Sequence, residues 1–126
     1  MTVISKQTAS QVEHGPGFEA RFEQVGDLTV SMETYDAEAD LGPLFAGLPD
    51  DACHCVHFGV VLSGQVTFTY ADGTEDVAGP GEAYVTEPGH RPRMVAGTRL
   101  VEFSKTAELA ETMEVVTKNL AAMESA

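Results

Sequence analysis

The sequence is short of positive charge. Its 126 residues carry 7 Lys and Arg against 20 Asp and Glu, a formal net charge of −13. Such a surface repels phosphate backbones and anionic headgroups, which argues against nucleic acid and against a membrane surface as partners. The plain reading of the charge is solubility. No run of about 18 apolar residues occurs, so no membrane-spanning helix is expected. Met1 to Ser10 lack a basic start followed by an apolar core, so no secretory leader is expected. Cysteine is scarce: Cys53 and Cys55 sit too close together for an unstrained disulfide. Free thiols suit a reducing compartment, and the expected location is the cytoplasm. No glycine-rich phosphate-cradling loop precedes a helix, so no organic cofactor is indicated.

What is present is a chain long enough for one domain over residues 1–126, burying roughly two thirds of its unfolded surface. Residues 1–17 form a lead-in arm around Gly15-Pro16-Gly17, with room for an edge strand. Phe18, Ala20 and Phe22 alternate with Glu19, Arg21 and Glu23, the period of a half-buried strand. After Gly26-Asp27 the alternation resumes at Leu28, Val30 and Met32 and continues to Tyr35, so 18–35 reads as a hairpin. Residues 36–51 are an acidic loop holding Leu41, Leu44, Phe45 and Leu48. These pack across a barrel mouth, cover a partner, or form a substrate lid. Strands then follow at short intervals: 52–62, 65–70, 74–78, 82–87, 91–95 and 99–104. Asp72-Gly73 is a hairpin turn signal among the breaks between them. Many short strands with regular turns argue a barrel or jelly roll over 18–104, which leaves few exposed edges. Residues 106–124 read as a helix with Thr106 as N-cap. Its stripe of Leu109, Met113, Val116, Leu120 and Met123 covers either the barrel or a dimer seam.

Two glycine-centred stretches carry a family likeness. One is His57-Phe58-Gly59-Val60-Val61-Leu62-Ser63-Gly64, running on through Asp72-Gly73. The other is Gly81-Glu82-Ala83-Tyr84-Val85-Thr86-Glu87-Pro88-Gly89-His90. In their order and separation they resemble the cupin superfamily, and in particular small single-domain bacterial cupins of unassigned function (RmlC-like jelly rolls). The resemblance implies an all-β double-stranded β-helix, here with a C-terminal α-helix. It also implies a homodimer as the common state. Aligned on Gly64, the metal-ligand positions of the family fall on Asp51, Cys53 and His57. The remaining histidine position falls on Pro92, with His90 shortly before it. The usual set of three His and one Glu is therefore absent as such, which argues against iron or manganese oxygen chemistry.

The residues themselves suggest a different metal. If the segment is regularly extended, Cys53, Cys55 and His57 share one face and point inward. His90 can approach from a neighbouring strand end. Thiolates and imidazoles suit a divalent transition metal, zinc best among them. Side chains two apart on a strand are about 7 Å apart, too wide for one tetrahedral ion, so one cysteine with His57 and His90 is the workable subset unless a bulge intervenes. Each residue also has a plain structural reading. Either cysteine can be core, and His57 can be a satisfied pocket histidine. Tyr70 and Tyr84 line the cavity or simply suit strands. Glu102 is a general base or a surface ion-pair partner. Arg91 and Arg93 grip a carboxylate ligand at the mouth or pair with surface acids. Three functions stay open: a metal-dependent small-molecule enzyme, a metal-free small-molecule binding or sensor protein, and an accessory or structural subunit.

Overall fold

The computed structural model describes residues 2–125. Ten strands form two antiparallel sheets. They are β1 (Gln11–Gly15), β2 (Phe18–Val25), β3 (Leu28–Tyr35), β4 (Ala39–Asp40), β5 (His57–Ser63), β6 (Val66–Tyr70), β7 (Glu75–Ala78), β8 (Ala83–Val85), β9 (His90–Met94) and β10 (Thr98–Lys105). The six-stranded sheet has the order β1-β2-β3-β10-β5-β8, and the four-stranded sheet has the order β4-β9-β6-β7. Helix α1 (Thr106–Glu124) follows β10 directly. This is a jelly-roll barrel with a C-terminal helix.

The turns are made where the backbone requires them. Gly64 joins β5 to β6 at φ 76°, and a side chain there would also collide with Thr98. Only glycine meets both demands without strain. Between the sheets lie Tyr35, Val61, Val66, Phe68, Ala78, Met94 and Leu100, all buried. A second apolar cluster closes one end of the barrel. It joins Leu44 and Phe45 of the 36–51 loop to Cys53, Cys55, Val116 and Leu120. The loop thus packs across the mouth, held by Asn119 of α1, which donates to the carbonyls of Leu44 (2.8 Å) and Ala46 (3.0 Å).

Of the two partners open to the helix stripe, it meets its own barrel: Val116 and Leu120 are buried, Leu109 and Met113 pack on the same cluster, and Met123 stays 47% exposed. Three expectations need correction. Thr106 is not the N-cap. Lys105 holds that place in extended conformation, and the Thr106 hydroxyl instead pairs with that of Thr29 at 2.7 Å. The strand expected over 52–62 begins only at His57. Cys53 pairs with His90 of the four-stranded sheet, while β5 belongs to the six-stranded one, so the chain must change sheets between them. Finally, β3 faces the other way from the simple hydrophobic reading. Its register against β2 sets Tyr35 opposite Phe18, Glu33 opposite Ala20 and Ser31 opposite Phe22, on the inner face. Leu28, Val30 and Met32 therefore point outward.

Candidate metal centre

The change of sheet between Cys53 and His57 builds the site. Cys53 is tied into the end of β9 by two backbone hydrogen bonds with His90, of 3.0 and 3.1 Å. His57 opens β5, where its N–H donates to the Thr86 hydroxyl at 2.8 Å. The two strand ends thereby converge. The Cys53 Sγ lies 3.5 Å from His57 Nε2. The ligand atoms of Cys53, His57 and His90 all lie within 4.8 Å of one another, and all three residues are buried.

Each histidine is oriented by its other nitrogen. His90 Nδ1 sits 2.8 Å from the Glu87 carbonyl, which can only accept, so Nδ1 carries the hydrogen. Its Nε2 lone pair is then free for the site. His57 Nδ1 pairs with the Ser104 hydroxyl at 2.7 Å and lies 3.7 Å from a Glu102 carboxylate oxygen. Such outer partners are what ligating histidines ordinarily have. Burial works against charge on His57, but the Glu102 carboxylate and the thiols of Cys53 and Cys55 outweigh it and raise its pKa well above the usual value. Burial likewise works against a Cys53 thiolate, yet His57 and His90 overcome it and lower the thiol to about 6. Both shifts favour the pair of imidazolium and thiolate.

Behind His57 stands a carboxylate pair. Tyr84 donates to Glu102 at 2.5 Å, and Tyr35 and Ser31 donate to Glu33 at 2.5 and 2.9 Å. Burial, and then the neighbouring Glu102, push Glu33 up to about 8, so it holds a proton at neutral pH. Its remaining accessible surface faces an internal cavity. Gly59 makes room for this arrangement, since a side chain there would collide with the Tyr84 ring. The cavity measures about 90 Å³, and its walls include Phe18, Phe22, Phe45, Phe68, Glu33 and Glu102. Cys53, His57 and His90 line it as well, with Thr112 of α1 3.6 Å from the Cys53 sulfur.

The other residues singled out in the sequence fall elsewhere. Cys55 is buried, its sulfur 3.7 Å from the Val56 carbonyl and near enough to raise the His57 pKa, but it is not one of the three residues whose ligand atoms converge. It stays outside the three-residue group because residues 53–56 are not a regular strand. Arg91 does not reach the cavity. It is exposed on β9 and donates to the carbonyls of Asp50 (2.7 Å) and Asp51 (3.1 Å), two residues held at positive φ. Arg93, also outward, pairs with Glu75 at 3.3 Å. Tyr70 packs on the core from the rim, its hydroxyl accepting from the Glu87 N–H, and does not line the cavity. Tyr84 acts through Glu102 rather than lining the cavity itself. Glu33, Tyr35, Ser31, Ser104 and Thr112 were missed by sequence reasoning. The signal for the first three was the odd-numbered set of β3, polar where the even-numbered set is apolar.

No family model and no curated protein matches the chain. Solved structures do. KdgF from Halomonas sp. is 20% identical over 75% of this chain and 86% of its own, with a TM-score of 0.52. An RmlC-like cupin from Shewanella frigidimarina is 16% identical over 81% and 88%, with a TM-score of 0.55. The polyketide cyclase RemF from Streptomyces resistomycificus is 14% identical over 84% and 80%, with a TM-score of 0.57. At these identities the likeness establishes the cupin fold and carries no activity.

Proposed function

We propose that this cupin-fold protein is a metal-dependent small-molecule enzyme, with Cys53, His57 and His90 holding a divalent transition metal. The observation that carries the reading is the pairing of a ligand triad with two outer partners. The 3.5 Å between Cys53 Sγ and His57 Nε2 is about the edge of a zinc tetrahedron with bonds near 2.0 and 2.3 Å. One thiolate and two imidazoles suit zinc best among the common ions. When bound, such an ion would supply Lewis acidity toward a water or a substrate oxygen at a fourth position. The protein's own groups do the rest. Ser104 and Glu102 hold the His57 ring in place, and the Glu87 carbonyl does the same for His90. Glu33 brings a proton to the cavity wall beside Glu102, to which Tyr84 donates a hydrogen bond. The remaining walls are largely apolar. A cavity of about 90 Å³ lies far below the several hundred Å³ of drug-sized sites, so the substrate is compact. With three carboxyl groups, of Glu13, Glu33 and Glu102, and no Arg or Lys on the cavity wall, it is neutral or cationic rather than anionic. Hydrolysis, isomerisation and elimination all use these parts.

One observation favours a second reading, a metal-free small-molecule binding or sensor protein. Every buried side-chain nitrogen and oxygen among the described residues already has a hydrogen-bond partner. The test is elemental analysis of protein purified without a metal-affinity tag, beside a His57→Ala variant. The enzyme reading expects about one transition metal per chain, lost in the variant. No metal, and none taken up on dialysis, overturns it. A compact ligand that raises Tm in the presence of chelator would then support the binding protein.

A further inference from the structure

We infer that small molecules reach Cys53, His57 and His90 through a groove along α1, and that Glu13, Phe22, Leu109 and Met113 set the size and charge that pass. The inference rests on that site being a destination for small molecules, as proposed above, and not on the metal.

The mouth of the barrel is closed unevenly. On one side of α1 the closure is tight. Asn119 donates to the carbonyls of Leu44 and Ala46, and Leu44 and Phe45 pack against Val116 and Leu120. Leu120 also comes down beside Gly15 of β1, where a Cβ would lie 3.2 Å from Leu120 Cδ2, so glycine permits the close approach. On the other side the helix stands off the sheet. Two hydroxyl contacts tie it there, Thr106 with Thr29 at 2.7 Å and Thr117 with Glu13 at 3.2 Å. Between those ties lies a groove of about 580 Å³. Its helix wall includes Thr106, Ala110, Met113 and Thr117, at spacings of 4, 3 and 4, which is one stripe of α1. Asn119 falls on the opposite side of the helix.

The groove leads inward. Glu13, Phe22, Leu109 and Met113 line both it and the cavity of about 90 Å³, so these four side chains stand between the two. Phe22 is buried, and the other three are half-buried. Met113 is unbranched and flexible, able to swing aside without backbone movement. The registers set Glu13 opposite Ala20 and Ala20 opposite Glu33, all on the inner face. The short Ala20 side chain leaves the way clear from Glu13 to Glu33, two strands or about 10 Å further in. Glu102 and then His57 follow, with a Glu102 carboxylate oxygen 3.7 Å from His57 Nδ1. Neither the groove nor the cavity has an Arg or Lys on its wall. An anion therefore meets repulsion from the threshold on, and a neutral or cationic molecule does not.

Alkylation of Cys53, at the far end of the route, tests this on the full chain with iodoacetamide and iodoacetate as probes. Chelator is present throughout, so the sulfur is available whether or not the chain holds a metal, and loss of the metal reading would leave this result standing. Tandem mass spectrometry separates Cys53 from Cys55, which is buried but off the cavity wall and so reports openings that unfold the region. Ala110→Trp fills the groove from an exposed helix position. It should slow the reaction of Cys53 with iodoacetamide about fivefold and leave Cys55 unchanged. Met113→Ala should speed the Cys53 reaction by about the same factor. Asn119→Ala, which frees the opposite side of α1, should not. Glu13→Gln should raise the iodoacetate rate relative to the iodoacetamide rate about threefold. The route is overturned if Ala110→Trp leaves the Cys53 rate unchanged, if Asn119→Ala speeds it as Met113→Ala does, or if Cys53 and Cys55 react together in every variant. An unchanged ratio in Glu13→Gln overturns the part given to Glu13. Ala110→Trp decides the matter if Met113→Ala fails to fold.

Discussion

Apart from His90, the four-stranded sheet turns an apolar set inward, Val66, Phe68, Ala78 and Met94, whereas the six-stranded sheet sets Ser31, Glu33, His57, Glu102 and Ser104 among its own apolar Phe18, Phe22, Val61 and Leu100. One wall mainly packs, and the other packs and carries most of the chemistry. His90 is the chemical contribution of the four-stranded sheet, and it sits at the strand end nearest Cys53. The contrast has a purpose in physical terms. Against an apolar wall a lone charge is poorly solvated, which favours the protonated form of Glu33, whereas Cys53 is shifted the other way because His57 and His90 outweigh its burial. A barrel polar on both walls would hydrate its interior and weaken these shifts. A barrel apolar on both would have nothing to react.

Three substitutions would break or sharpen this contrast. The largest effect is expected on the packing wall. Phe68 is 3% exposed and lies against the rings of Tyr84 and His90. Phe68→Ala should cost about 3–5 kcal/mol in urea denaturation. A loss below about 1 kcal/mol would mean that the wall does not carry the core.

On the reactive wall the expected effect is a pH dependence. Folded Glu33 holds its proton to about pH 8, whereas the unfolded carboxyl releases it near 4.5. Between those values the folded state binds more protons, so Glu33 makes stability fall as pH rises through that window. The slope is at most about 1.4 kcal/mol per pH unit from this one group. Glu33→Gln should flatten it, and parallel stability–pH curves for the two proteins would show that Glu33 is already ionised.

The smallest effect is expected where the two walls meet through His57. Ser104→Ala removes the 2.7 Å partner of its Nδ1. Zinc affinity, read by competition with a chromophoric chelator, should fall about tenfold while the fold persists. An unchanged affinity would assign the orienting role to Glu102 alone.

Much of the fold was legible because its signals are local. The alternation over 18–25, the glycine turns and the spacing of the α1 stripe each depend on neighbours in sequence. The site was legible in part. Cys53, His57 and His90 stood out as residue types, and Cys55 could not be told from Cys53 because both occupy the same short stretch. Glu33 was hidden by a sound rule applied to the wrong face. The apolar set of β3 alternates like a core-facing set, yet it points away from the barrel interior, on the face where Lys6 of the N-terminal arm reaches Thr34 and where Val30 is only 7% exposed. Arg91 drew notice as a rare cation in an acidic chain, but its partners are carbonyls from a loop 40 residues away.

By itself, then, the sequence determined the jelly roll and its closing helix, since period and turn chemistry reach only a few residues along the chain. Tertiary structure decided which face of each central strand looks inward. It also decided which cysteine meets the histidines, and that Glu33 and Glu102 stand side by side on the cavity wall. Those outcomes depend on register and on a change of sheet between Cys53 and His57, which bring together groups that nothing in the local sequence connects.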